Sequence, residues 1–396
     1  MKLSKSLTLS AMSFALFSNS HLVSADAFYD ALSSGKVSLD SRLRYETADT
    51  DGDATDKAKG LTLRTRLGYK TAELGKVSAF IEFEDTRIVA GIDEYSPFDT
   101  SYDTIADPEA TELNQGYLLY KPTESLSVIA GRQRLILDNA RFVGNVGWRQ
   151  NEQTFDALTA KYAQGDFAAT VSWIDQVGGI IDKFDAVTDD ALVNLSYKTP
   201  AGKVVVYYYD LDHSNTHNQV QFENDTTGIS FDGSSEVSEG VKLSYRLEFA
   251  AQETSTDKEA DYSAVELSLA FKPVTLAVGM ETLGSDDGTY GFQTPLATKH
   301  AFNGWADMFL VTPADGLEDT YMKAVTKITG IKFVAVYHEF AGDDSGDDIG
   351  TEMDLLAVKA FGKKYQIGLK YASFSTEEDY GLSDKDVMWA WGQVTF

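Results

Sequence analysis

The sequence of 396 residues contains no cysteine, only seven prolines and only five histidines. Without cysteine the chain can form no disulfide, thiol nucleophile, cysteine-ligated zinc site or iron–sulfur site. Neither the GxSxG spacing of serine hydrolases nor the HExxH spacing of zinc proteases occurs. The sequence therefore predicts no enzyme and no cofactor.

Positive charge is also scarce, because 34 lysines and arginines face 61 aspartates and glutamates, which gives a formal charge of −27. A surface this negative repels nucleic acid, so DNA and RNA are excluded as partners. The acid collects in Asp/Gly-rich stretches at 49–53, 285–288 and 343–348, which are typical of solvated loops. The first of these fails the full calcium-loop pattern, since Ala54 stands at its sixth position and Gly60 at its twelfth. We expect such loops to bind divalent cations loosely, between the phosphates of lipopolysaccharide.

Long hydrophobic runs are missing as well. The apolar stretch Leu7 to Phe17 follows Lys2 and Lys5 and precedes the small-residue site Val23-Ser24-Ala25. This layout predicts a secretory signal peptide over residues 1–25 and a mature chain over 26–396. No later segment approaches the run of about 18 apolar residues that a spanning helix needs. After export the chain must either be soluble or cross a membrane as a barrel.

What the sequence does contain is short runs in which apolar and polar residues alternate. Near the N-terminus, Leu43 and Tyr45 alternate with Arg42, Arg44 and Glu46. The same pattern recurs at 61–70, 241–249 and 365–371. Period-2 alternation predicts strands whose two faces meet different solvents. Charged residues on the second face favour a barrel with lipid outside and water inside.

The links between these strands alternate in length. Short links lie near 73–76, 121–124, 164–166, 199–202, 272–273, 329–330 and 362–364, and longer ones near 47–60, 87–112, 135–153, 175–190, 212–226, 252–260, 284–318, 341–351 and 375–386. Short periplasmic turns and long extracellular loops are the rule in bacterial outer-membrane barrels. We predict an all-β, antiparallel, up-and-down transmembrane barrel of about eighteen strands in the outer membrane. Sixteen strands stay open, because a short strand at Gly228 to Phe231 is needed to keep the count even.

The final strand candidate, Val387 to Phe396, ends on an aromatic residue. Such an ending resembles the signal by which the barrel-assembly machinery recognises its clients. We therefore expect Phe396 to address the chain to that machinery, and membrane lipid and lipopolysaccharide to surround the barrel.

Two stretches carry a family resemblance. The first contains GRQR at 131–134, RFVG at 141–144, GWRQN at 147–151 and FD at 155–156; the second contains FQTPLAT at 292–298, HAFNGWAD at 300–307 and GL at 316–317. Both are similar to the alginate-export family of outer-membrane porins. The resemblance implies an eighteen-stranded channel. Because the family's pore is lined by basic residues, it also implies a pore-lining role for Arg132, Arg134, Arg141 and Arg149.

Arginine is distributed unequally. Arg42, Arg44, Arg64, Arg66, Arg87, Arg132, Arg134, Arg141 and Arg149 lie in the first 150 residues, and Arg246 lies beyond them. Since consecutive strands of such a barrel are neighbours, these arginines share one wall. One interpretation is a basic strip, including Arg42, Arg44, Arg64 and Arg66, that attracts anionic solutes. The other is that Asp40, Glu46, Glu82 and Glu84 pair with the arginines and simply satisfy the lumen.

The link from Ser285 to Asp319 is the longest, and we expect it to fold inward as a constriction that presents His300, Phe302, Trp305 and Asp307. Packing on itself above the rim is the alternative, and the link from Arg87 to Glu112 is a second candidate. His213 and His217 could ligate a metal, but two histidines in a polar loop are more often incidental, and we predict no metal site.

Together these patterns predict an outer-membrane porin that forms a passive, water-filled channel for small hydrophilic solutes, preferentially anionic ones. Two alternatives stay open at this point. One is a dedicated exporter of an acidic polysaccharide such as alginate, and the other is a plugged barrel with a structural or adhesive role.

Overall fold

In the computed structural model, residues 24–52, 55–181, 184–214, 221–377 and 380–396 are described. Within them the chain begins with a helix, α1 (Ala25–Ser33), and continues through eighteen strands. The strands are β1 (Lys36–Thr50), β2 (Ala58–Lys70), β3 (Val77–Glu94), β4 (Ala110–Tyr120), β5 (Leu126–Gln133), β6 (Thr154–Gln164), β7 (Phe167–Gly178), β8 (Ala186–Thr199), β9 (Gly202–Ser214), β10 (Gln221–Ser238), β11 (Val241–Thr254), β12 (Glu259–Phe271), β13 (Val274–Leu283), β14 (Leu317–Ile328), β15 (Ile331–Ala341), β16 (Asp348–Phe361), β17 (Tyr365–Thr376) and β18 (Lys385–Thr395).

Each strand pairs antiparallel with the next one along the chain, and β1 pairs with β18 to close the barrel. Closure leaves no unpaired strand edge, which a sheet in lipid could not tolerate. The predicted fold class is therefore confirmed, with eighteen strands rather than sixteen. No described helix is long enough and apolar enough to cross a membrane.

The two faces of the strands follow the predicted alternation. On β1, Leu43 is 43% exposed on the outside, whereas Arg42 and Arg44 are buried inside. On β2, Leu63 and Leu67 face outward, and Arg64 and Arg66 face inward. A charged side chain on the lipid face would cost about 2–4 kcal/mol at the midplane, so this pattern fixes which face meets lipid.

The segment from 212 to 241 differs from the prediction. A loop over 212–226 and a four-residue strand at Gly228 to Phe231 were expected, but β10 is an eighteen-residue strand whose short link to β11 is 239–240. Its inward positions are small or polar, so its alternation is weak in sequence. Gly228 is one of them, and a Cβ there would lie 2.3 Å from the Tyr207 ring. Cross-strand packing against β9 makes this segment a strand.

The links also have different bounds from those predicted, and three of them bear on the residues singled out above. The link between β3 and β4 is 95–109, so Arg87 lies on a strand, and the link between β13 and β14 is 284–316, so Asp319 lies on a strand as well. The link between β5 and β6 is 134–153. Residues 1–23, which contain most of the predicted signal peptide, lie outside the described residues, as do His217, Asp53 and Ala54.

Candidate functional site: the lumen

Two long links leave the rim and meet inside the barrel. The Gly144 amide donates to the Leu296 carbonyl at 2.9 Å, and the Thr298 amide donates to the Ala140 carbonyl at 3.0 Å. The Gln153 side chain donates to the same Leu296 carbonyl at 3.0 Å. We call the links 134–153 and 284–316 together the septum. The longest link, 284–316, is thus hydrogen-bonded to the link 134–153.

The septum is attached to opposite walls of the barrel. On one side, Arg42 of β1 donates to the Trp148 carbonyl at 2.8 Å, and Arg44 donates to the same carbonyl at 2.6 Å. On the other side, Gln252 of β11 donates to the Gln293 carbonyl and accepts from the Gln293 amide, both at 2.9 Å. Main-chain groups of the links thus replace water as hydrogen-bond partners of lumen side chains, which stabilises the inward position.

The arginines of β1 and β2 are matched by carboxylates. Arg44 pairs with Asp107 and, at 3.2 Å, with Glu46. Asp107 comes from the link 95–109, which thereby joins the lumen wall. Burial alone would raise the pKa of Asp107, but the charges of Arg44 and Arg149 outweigh it and hold that pKa below its usual value.

The remaining wall arginines follow the same rule. Arg64 pairs with Asp40, and Arg66 pairs with Glu84 and lies 3.6 Å from Glu152. All of these arginines are buried. Because a buried unpaired charge is very costly, such pairing offsets part of the cost of burying these groups inside the barrel.

Arg132 and Arg134, which follow on the chain, are both partly exposed and differ in the burial of their carboxylate partners. Arg134 pairs with Glu82 at 2.7 Å and also with Glu152. Arg132 binds Asp156 through two parallel contacts of 2.8 and 2.9 Å, in a pair that is partly open to solvent. The four carboxylates expected as partners, Asp40, Glu46, Glu82 and Glu84, each bind an arginine of this set. We call Arg42, Arg44, Arg64, Arg66 and Arg134 the arginine wall.

Arg141 and Arg149 lie within the septum itself. Arg141 donates to Glu281 at 2.8 Å and to Asn303 at 2.9 Å, and its guanidinium carbon lies 4.8 Å from the centre of the Phe302 ring. Burial alone would lower the pKa of Arg141, but the Glu281 charge outweighs it and raises that pKa above its usual value. These two residues therefore tie the halves of the septum together.

A chain of contacts runs through the septum and joins β1 to β17, two strands away in the barrel. Glu46 of β1 binds Arg149 at 2.8 Å, Arg149 binds Asp307 at 2.9 Å, Asp307 binds His300 Nδ1 at 2.8 Å, and His300 Nε2 lies 2.6 Å from Lys370 Nζ of β17. We call this chain the bridge. Since the ammonium of Lys370 can only donate, His300 Nε2 accepts and Nδ1 donates to Asp307.

Burial sets the protonation of the bridge. The loss of water on burial lowers the pKa of His300 to about 3. The charge of Asp307 offsets this loss only in part, and the charge of Lys370 adds to the lowering. Burial would raise the pKa of Asp307, but His300 and Arg149 reverse this and hold that pKa well below its usual range. Around neutral pH the histidine is neutral and the aspartate is charged.

Two cavities lie between the septum and the short turns. The larger, of about 1220 Å³, reaches from Pro200 and Ala201 in the short turn between β8 and β9 up to His300 and Trp305 of the septum. The smaller, of about 550 Å³, lies in front of Arg42 and other members of the arginine wall. The predicted residues thus fall into two groups. Members of the arginine wall face the smaller cavity, and His300, Phe302 and Trp305 of the predicted constriction line the larger one.

Lysines are the feature that sequence reasoning missed. Lys323, Lys332 and Lys370 line the larger cavity, and none of them forms an ion pair within the part of the chain that the structure describes. The signal was present, since Lys370 shares the inward side of β17 with Gln366 and Gly368. What alternation could not reveal is which inward charges lack a partner. Across the described residues, no group of three or more histidines and carboxylates has the arrangement of a metal site.

Comparison with known proteins gives one family and many similar folds. The family model described as alginate export matches residues 35–282. No functionally curated protein matches the chain. Among solved structures, OccAB2 of Acinetobacter baumannii is 13% identical and covers 93% of this chain and 99% of its own, with a TM-score of 0.73. OccAB4 of the same organism is 13% identical and covers 91% and 98%, with a TM-score of 0.72. OccK9 (OpdG) of Pseudomonas aeruginosa is 12% identical and covers 92% and 99%, with a TM-score of 0.74.

Proposed function

The chain belongs to the alginate-export family, and from this premise we propose that it is an outer-membrane porin through which small hydrophilic, preferentially anionic solutes diffuse. The observation that carries the proposal is the closed barrel around a polar lumen, with a cavity of about 1220 Å³ below the septum. A water-filled lumen is the common use of a barrel of this size.

The preference for anions rests on the lysines rather than on the arginine wall. Each arginine of β1 and β2 named above lies within reach of a carboxylate or a main-chain carbonyl, which neutralises or occupies it. Lys323 and Lys332 line the larger cavity without an ion-pair partner in the described chain. Unpaired cations in a narrow lumen attract anions and raise their local concentration.

The proposal includes a route by which the chain reaches the membrane. Residues 1–25 are proposed to be a signal peptide, and the acidic loops are proposed to meet lipopolysaccharide through divalent cations. At the other end, the Phe396 amide donates to the Leu39 carbonyl at 2.8 Å, and its ring is exposed at the short-turn rim. An exposed terminal ring is what supports recognition by the barrel-assembly machinery.

The test is single-channel recording. The full mature chain would be refolded and inserted into a planar bilayer, and the reversal potential would be measured across a potassium chloride gradient. We expect a stable open conductance and a reversal potential that reports anion preference. Cation preference would contradict the anion assignment but leave a porin, and a bilayer without conductance would favour the plugged structural barrel.

A second candidate is favoured by the family description, namely export of an acidic polysaccharide. A polymer chain would have to pass the septum, whose two links are bonded to each other and to both walls. Added oligouronates of increasing length discriminate the two functions, because an exporter would admit the longer chains and a diffusion porin would be blocked by them.

A further inference from the structure

Four of the five tryptophans gather at one point of the lumen. Trp148 and Trp305 come from the septum, and Trp389 and Trp391 come from β18. The Trp148 ring centre lies 5.6 Å from that of Trp389 and 5.4 Å from that of Trp391, in edge-to-face contacts. We call these four residues the indole cluster.

Lys370 is the cation that lies nearest to the cluster, and the guanidinium carbons of Arg44 and Arg42 lie 5.2 and 6.0 Å from the centre of the Trp148 ring. The Lys370 ammonium lies 3.8 Å from the centre of the Trp305 ring, 4.3 Å from that of Trp148 and 5.2 Å from that of Trp389. Cation–π attraction of this kind stabilises an ammonium that has lost water. It also places a positive charge and flat aromatic faces side by side.

The charge of Lys370 lacks a direct counterion. Its side chain is 6% exposed, and its hydrogen-bond partner, His300, is neutral around pH 7. In the described chain no carboxylate oxygen lies within ion-pair distance of its ammonium, although Asp354 and Glu352 of the adjoining strand β16 and Asp307 of the septum attract it from farther away. A buried ammonium without a contact partner is costly, so the position favours an incoming anion.

The cluster can be reached from the larger cavity. Trp148, Trp305, Trp391 and Lys370 all line it, and Lys323 and Lys332 line the same cavity closer to the short turns. Trp305 is only partly buried, and in the described residues no aromatic ring stacks on it. Its indole is therefore the face that a solute arriving in the cavity can cover.

We propose that the indole cluster and Lys370 form a binding site for small carboxylates that are carried on a ring. The ring stacks on the Trp305 indole, and the carboxylate accepts a hydrogen bond from Lys370. A sugar acid and an aromatic acid share this chemistry, whereas an open-chain acid offers the carboxylate without the flat face. The inference rests on the proposed channel function, since the solute must enter the lumen.

The experiment measures block of the single-channel current of the full mature chain in potassium chloride. Glucuronate and benzoate test the two kinds of ring, gluconate is the open-chain acid, and glucose is the uncharged ring. We expect at least one ring acid to interrupt the current at a concentration about three- to tenfold lower than gluconate or glucose, which is the factor that one stacking contact contributes. Whichever of glucuronate and benzoate blocks more strongly identifies the ring.

Variants separate the two halves of the site. Trp305→Ala should weaken block by the ring acid about three- to tenfold and leave gluconate unchanged, whereas Trp305→Phe should retain most of it. Lys370→Gln should weaken block by all the acids about tenfold or more, and Lys370→Arg should retain it. Trp173→Phe, at the one tryptophan outside the cluster, is the matched control and should behave as the wild type. The heat-dependent shift in gel migration that folded barrels show confirms folding of each variant.

The outcomes distinguish this site from the channel itself. If the wild type conducts but gluconate blocks as well as both ring acids, or if Trp305→Ala changes nothing, the ring site is wrong and the porin stands. If the folded wild type shows no conductance, the proposed function fails first, and intrinsic tryptophan fluorescence of the folded protein in detergent still tests binding: quenching by a ring acid that Trp305→Ala removes supports the site, and its absence overturns it.

Discussion

Two regions of the lumen carry positive charge in different ways. On the arginine wall of β1, β2 and the septum's first link, each guanidinium is bonded to a carboxylate or to main-chain carbonyls. On β14, β15 and β17, Lys323, Lys332 and Lys370 face the larger cavity without an ion-pair partner in the described residues. The arginines outnumber these lysines, yet the lysines are the cations available to a solute.

The difference teaches that the number of charges on a wall does not decide its electrostatic role. Arginine presents five donors in a planar fork and binds two partners at once, which suits it to holding loops. Lysine is a mobile point charge that a passing anion can meet. The wall with the more conspicuous sequence signal is therefore the structural one, and the following predictions test that division.

The largest effect is expected at Arg44, whose loss leaves Asp107 and Glu46 buried beside an empty position. Removal of one partner from a buried pair costs about 3–5 kcal/mol, so Arg44→Ala should lower the free energy of unfolding by that order. Urea titration of the protein refolded in detergent measures it. The matched control is Arg87→Ala, because the Arg87 pair with Asp85 is largely exposed and should contribute about 0–1 kcal/mol. Equal losses at the two positions would contradict a structural role for the arginine wall.

The bridge between the two regions predicts a dependence on pH. The pKa of His300 is about 3 in the folded protein and 6.5 ordinarily, so the unfolded chain takes up the proton first. Stability is therefore unaffected above pH 6.5 and falls as the pH drops from 6.5 towards 3, by up to about 1.4 kcal/mol per unit.

His300→Gln removes this proton, and urea midpoints recorded over the acidic range should fall less steeply in the variant than in the wild type. Other groups titrate in both proteins, and the difference between the two slopes isolates His300. Parallel slopes would show that the histidine is not buried in its neutral form.

Ion selectivity sharpens the comparison directly. Lys323→Gln combined with Lys332→Gln should reduce the anion-to-cation permeability ratio by about threefold or more, because two unpaired charges leave the cavity. Reversal potentials across a salt gradient measure the ratio. Arg64→Gln combined with Asp40→Asn removes a matched pair without a change in net charge, and its ratio should stay near that of the wild type. A larger change for the pair than for the lysines would reverse the assignment of the two regions.

The smallest effect is expected at Arg132. Its contact with Asp156 is bidentate but partly open to water, and such pairs contribute about 0–1 kcal/mol. Arg132→Ala should therefore leave the urea midpoint close to that of the wild type. A loss as large as that of Arg44→Ala would place Arg132 with the arginine wall.

Most of the fold could be read from the sequence, and the exception is instructive. The alternation on β1 and β2 identified both strands and both faces, because neighbouring side chains of a strand point in opposite directions whatever the rest of the molecule does. Residues 221–238 escaped because small and polar inward residues leave little contrast with the outward ones. Tyr207 packing over Gly228 lies on the neighbouring strand, where local pattern carries no information.

The site was predictable in membership but not in pairing. Alternation and link length singled out Arg42, Arg44, Arg64, Arg66, His300 and Asp307, and their role in the pore stays a prediction. Whether Arg44 is free or bonded to Asp107 depends on how the link 95–109 folds, because Asp107 lies 63 residues after Arg44 in the chain. The sequence offered two interpretations of the arginines and had no means to choose between them.

By itself, then, the sequence determined the barrel, its approximate strand number and the direction of each side chain, since all three follow from period-2 alternation and from the length of the links between strands. Only the tertiary structure decided which charges are paired, that the two long links bond to each other across the lumen, and that four tryptophans meet around Lys370. Those facts depend on contacts between residues far apart in the chain, which are set by closure of the barrel and not by any local pattern.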